Sequence, residues 1–97
     1  MARRLIVTPR AQRQIARARA WWLNNRDKAP EAFDEELERG YALLLDQPYV
    51  GQRIRTKRRG GALRITLERI RYHLYYEVRE AVFILSLWHA SRRPPRL

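Results

Sequence analysis

The last third of the chain alternates at period two. In RYHLYYEV, Arg71 to Val78, the residues Tyr72, Leu74, Tyr76 and Val78 share one face of a strand, and Arg71, His73, Tyr75 and Glu77 share the other. The first set reads as core and the second as a working surface. After a break at Arg79-Glu80, the segment from Ala81 to Pro95 opens as a strand that is apolar on both faces. There Val82, Ile84, Ser86 and Trp88 alternate with Phe83, Leu85, Leu87 and His89, a pattern that suits a strand flanked on both sides in the sheet. It delivers His89, Arg92 and Arg93 to the end of the sheet, beside the polar face of its neighbour. Upstream, Leu63, Ile65 and Leu67 alternate with Arg64, Thr66 and Glu68, completing a three-strand antiparallel meander that Arg93-Pro94-Pro95 terminates.

The first half follows a helical rhythm. Arg4 to Val7 is a short apolar run suited to an opening strand, and Thr8-Pro9 then supplies an N-cap and a first-turn proline. Ala11, Ile15, Ala18 and Trp22 form one amphipathic stripe, with Arg10, Arg13 and Arg17 outside it and Asn24-Asn25 at its end. A second helix starts with Pro30 in its first turn, where Glu31 to Glu36 complement the macrodipole; it buries Phe33, Leu37, Tyr41 and Leu44 and stops at Gln47-Pro48. Two helices of about 15 to 18 residues joined by a short connection make an antiparallel hairpin. From Tyr49 to Gly61 no period survives, and this glycine-punctuated basic segment with Arg53, Arg55, Lys57, Arg58 and Arg59 reads as an exposed loop.

Composition narrows the class. Residues 1–97 suffice for one domain with one core. The chain has no cysteine, hence no disulfide, thiolate nucleophile or cysteine metal site, and its two histidines are too few for a typical zinc site, so no cofactor or metal is expected. The opening MARRLIVTPR lacks a signal-peptide core and nothing approaches a membrane span, which leads us to expect a cytoplasmic protein without a membrane partner. A net charge of +11 is carried almost wholly by arginine, since only Lys28 and Lys57 are lysines. Guanidinium favours bidentate phosphate or carboxylate contact and stacking on flat rings, so the partner should be polyanionic or acidic. The acids concentrate between Asp27 and Asp46, so one acidic helix is flanked on both sides by basic chain.

The strongest candidate constellation is the polar face of the meander: Arg64, Arg71, His73, Tyr75, His89 and Arg92. Same-face neighbours on antiparallel strands lie about 5 Å apart, so these groups are expected to line one groove that binds a target or nucleic acid. The loop from Arg53 to Arg59 is suited to phosphate contacts. Trp21 and Trp22 point about 100° apart on a helix. Trp22 continues the buried stripe, which leaves Trp21 exposed as a candidate partner contact. Glycine-rich phosphate loops, metal-ligand spacings and serine triads are absent from the sequence.

Strand, two helices, basic loop and three strands, with YHLYYEV followed by LWHASR, resemble the ParE branch of the ParE/RelE superfamily of type II toxin–antitoxin toxins, from Leu5 to about Arg93. The resemblance implies an α+β fold of the RelE/ParE type: an N-terminal strand and a helical hairpin packed on a small, mostly antiparallel sheet. It implies a toxin that binds DNA gyrase and poisons its cleavage cycle without chemistry of its own, neutralised by a cognate ParD-like or other antitoxin. The RelE branch offers an alternative, a ribosome-dependent mRNA endonuclease in which Arg71, His73 and Arg92 would form a phosphate-binding acid–base site. His73 stands where the ribonuclease toxins resemble one another in carrying an arginine after the strand tyrosine, which weighs against that alternative. A module that only holds nucleic acid on the same basic face is a third reading.

Overall fold

The computed structural model describes residues 3–26, 29–56 and 61–97. In chain order the elements are β1 (Arg4–Val7), α1 (Pro9–Asn25), α2 (Ala32–Asp46), β2 (Gln52–Ile54), β3 (Ala62–Leu67), β4 (Tyr72–Val78) and β5 (Ala81–His89). The five strands form one sheet in the order β1-β5-β4-β3-β2, with β1 parallel to β5 and the other pairs antiparallel. This is the expected α+β architecture. The apolar character of β5 on both faces fits its place between β1 and β4.

Both helices lie over one face of the sheet. Ala11, Ile15, Ala18 and Trp22 of α1 and Phe33, Leu37 and Leu44 of α2 are buried with Leu74, Tyr76, Val82, Ile84 and Leu87 in the main core. Thr8 joins helix to sheet: its hydroxyl oxygen accepts from the Ala11 amide at 3.3 Å, and its O–H donates to the Ile84 carbonyl at 2.8 Å. Where β1 stops, Gln14 continues its edge. The Gln14 Oε1 accepts from the Leu87 amide at 3.0 Å and the Ser86 hydroxyl at 2.9 Å.

Four local expectations are corrected. The segment after Tyr49 is not all loop, because Gln52–Ile54 pairs with Ala62–Arg64 as an edge strand. Three residues are too few to show an alternation, and their ladder is supplied by β3. The second helix begins at Ala32, since the Ala32 amide bonds back to the Ala29 carbonyl at 3.1 Å and keeps Pro30 and Glu31 in a tight turn. Arg71 lies outside β4, in the four-residue turn between Leu67 and Tyr72, with φ of 63° in the left-handed region.

The largest correction is a β-bulge. Tyr75 pairs with Ser86 but Tyr76 pairs with Ile84, so Leu85 is an extra residue on β5 and the alternation reverses there. Val82, Ile84 and Leu87 therefore face the helices, while Phe83, Leu85 and Trp88 face the opposite side.

Candidate functional site

The side of the sheet away from the helices is not an open polar surface. Tyr75 is 1% exposed there and packs with Ala62 and Leu85, against which Ile54, Phe83, Trp88 and Leu97 also lie. The chain after β5 folds back over this cluster: the Trp88 indole N–H donates to the Arg93 carbonyl, and Arg10 donates to the Arg96 carbonyl at 2.6 Å. Tyr75 was expected on a working face and is instead the centre of a second small core. Alternation marked it as non-core because the helices cover the other face, but the C-terminal segment supplies a second cover.

His73 stays on this side. Its Nδ1 hydrogen-bonds the Thr66 hydroxyl at 3.0 Å, and its ring meets the Tyr75 ring edge-on at 6.1 Å between centroids. Partial burial lowers its pKa below 6.5, the Arg64 guanidinium and His89 add to the depression, and Glu68 opposes it. Arg64 is oriented by a 2.8 Å bond to the Gln52 side chain.

His89 lies across the sheet from His73. It pairs with Tyr72, whose ring is T-shaped against both His89 at 5.1 Å and Phe33 of α2 at 6.0 Å, which fixes both residues on the helix side. The bulge is the cause, since the reversed phase after Leu85 turns His89 away from the face that an unbroken alternation would give it. The expected single groove is thus divided. Arg64 and His73 stand on one side, His89 on the other, and exposed Arg71 in the β3–β4 turn. Arg92, in the turn after β5, stacks over Trp88 with its guanidinium carbon 4.4 Å from the ring centroid.

A cleft of about 480 Å³ opens on the helix side, between α1 and the ends of β4 and β5. It brings His89 and Arg92 together with Trp21, which is 46% exposed. Gln14, Arg17 and Tyr72 also line it, and none of these was singled out from the sequence. Their juxtaposition depends on the β5 bulge, for which the sequence carries no glycine or proline marker. Burial raises the Tyr72 phenol pKa, and neighbouring Arg92 opposes the rise.

Of the basic loop, Arg53 lies on β2 and Arg55 lines a groove with Tyr75 and the C-terminal segment; Lys57, Arg58 and Arg59 lie outside the described residues. Among the described residues, no helix is long and apolar enough to cross a membrane.

No curated protein matches the chain. A family model described as the ParE toxin of the type II toxin–antitoxin system, parDE, matches residues 5–94, nearly the whole chain, in agreement with the strand–helix–helix–sheet order. The chain therefore belongs to the ParE toxin family and is the toxin of a type II toxin–antitoxin system, with an antitoxin as its partner.

Proposed function

We propose that this toxin arrests growth by binding DNA gyrase and poisoning its DNA cleavage cycle, and that a cognate antitoxin neutralises it by covering its surface. The observation that carries the choice of a binding mechanism is the division of the polar groups between the two sides of the sheet. RNA cleavage by acid–base chemistry needs a base, an acid and cationic groups converging on one phosphate within hydrogen-bond reach. Here the His73 Nδ1 is engaged by Thr66, Tyr75 is buried, and His89 lies on the other face of the sheet.

A binding mechanism draws instead on exposed aromatic and aliphatic side chains. Trp21, Tyr49, Val50 and Leu43 are 46%, 66%, 47% and 38% exposed, the kind of residue that anchors an interface once desolvated. A gyrase target also places the toxin in the cytoplasm. For the antitoxin, a segment with acidic residues suits the arginine-rich surface, because charge speeds encounter while buried aromatics hold the complex. The helical hairpin's outer face is its candidate docking surface, since the C-terminal segment covers the sheet groove expected from the sequence.

The test combines the purified chain with purified gyrase and supercoiled plasmid. Gyrase-linked cleaved DNA should accumulate with the parent chain and equally with His73→Ala. Absence of cleaved DNA, together with cleavage of ribosome-bound mRNA that His73→Ala abolishes, would establish the endonuclease alternative.

A further inference from the structure

Charge is segregated between the two helices. α1 carries Arg10, Arg13, Arg17 and Arg19 with no carboxylate, whereas α2 carries Asp34, Glu35, Glu36, Glu38 and Asp46 against Arg39 alone. The ion pairs follow this division. Asp34 holds Arg19, and Glu36, Glu35 and Glu77 hold Arg39, Arg69 and Arg79, but among the described residues no ion pair engages Arg13, Arg17 or Arg92.

The free polar groups of the cleft beside α1 are mainly donors. Gln14 spends its Oε1 on Leu87 and Ser86, which leaves its amide nitrogen as the free end. Ser91 occupies His89 Nδ1, with its hydroxyl at 2.7 Å and its backbone N–H at 3.2 Å, which leaves Nε2 as the free nitrogen of that imidazole. Arg17 and Arg92 add two guanidinium groups, and no carboxylate lines the cleft. Such a set suits phosphate oxygens, which only accept. Arg13 extends the basic track outward from Arg17, about 6 Å along the helix.

The rings decide between polyanions. Trp21 is half-exposed at the cleft, Tyr72 lies beside it and Trp88 is already stacked by Arg92. A run of acidic side chains would pair the guanidinium groups but offers no ring to the Trp21 indole, which the Arg26 guanidinium approaches at 5.7 Å. Single-stranded nucleic acid offers both, a base to stack and a phosphate on either side of it. Duplex nucleic acid keeps its bases stacked on one another.

We propose that this cleft and the α1 arginines bind single-stranded nucleic acid, with one base stacked on Trp21 and the adjacent phosphate held by Arg17, Arg92 and His89. The cleft wraps the end of β5, where Trp88, the cross-strand partner of His73, forms part of its lining, and the inference does not depend on gyrase being the target.

The test is fluorescence anisotropy of a labelled oligothymidylate with the full chain, over a salt series, with polyglutamate, inorganic polyphosphate and a duplex as competitors. Oligothymidylate should bind more tightly than polyglutamate of equal charge. Trp21→Ala should weaken oligothymidylate about ten-fold and leave polyphosphate binding unchanged. Arg17→Gln should reduce the slope of log affinity against log salt by about 0.7. Both side chains are exposed, and circular dichroism checks that the fold is kept. Polyglutamate competing as well as oligothymidylate would assign the cleft to an acidic polypeptide and overturn the proposal. So would parent-like oligothymidylate binding by both variants.

Discussion

His73 shows how partial burial and neighbouring charges set a residue's behaviour. Its folded pKa lies below 6.5, first because of burial and then because of Arg64 and His89, with Glu68 working the other way. As pH falls from 7.5, the unfolded imidazole takes up a proton near its ordinary value while the folded one does so only at lower pH. The unfolded state thus binds more protons, and this contribution to stability is whole above pH 6.5 and lost as pH falls through the folded value. Urea denaturation at steps from pH 7.5 to 5 should show decreasing stability for the parent and a shallower decrease for His73→Gln. Identical slopes would remove His73 as the titrating group. Tyr76 illustrates the same scale without charge: its hydroxyl oxygen accepts the Gly51 amide hydrogen at 2.9 Å, and a Cβ at residue 51 would sit 2.6 Å from that oxygen. Glycine there lets the chain after α2 approach the sheet closely enough for β2 to pair.

Between elements, a few side chains replace missing ladder. Thr8 caps α1 and also donates to the Ile84 carbonyl, so it fixes where the helix starts and how it sits on β5. Thr8→Ala should cost about 1 to 2 kcal/mol in urea unfolding, a lost cap together with a lost hydrogen bond. An unchanged midpoint would mean that neither bond matters in solution. Thr8-Pro9 was legible in the sequence for the reason that makes it costly to change: the N-cap and first-turn chemistry is local. The stripe of Ala11, Ile15, Ala18 and Trp22 was legible because one helix face meets one core. The bulge was not. Ile84, Leu85 and Ser86 would suit an unbroken strand, and only the pairing with Tyr75 and Tyr76 reveals the extra residue. That single residue decides which side of the sheet receives His89 and Trp88, so the candidate site was legible as a set of residue types but not as a geometry.

At the scale of the molecule, the sheet has two unequal covers: two helices over the main core, and the segment from Arg93 to Leu97 over the small cluster around Tyr75. The two histidines end on different faces of the sheet, and among the described residues Arg13, Arg17 and Arg92 stand without an ion pair around the cleft beside α1. Such a layout favours docking on large charged partners over chemistry at one point. The most direct test is inducible expression in a bacterium lacking the antitoxin, following thymidine and methionine incorporation through the first minutes. Early loss of thymidine incorporation with methionine incorporation intact is the expected result and places the block at DNA synthesis. Early loss of methionine incorporation instead would contradict a gyrase target and point to the ribosome.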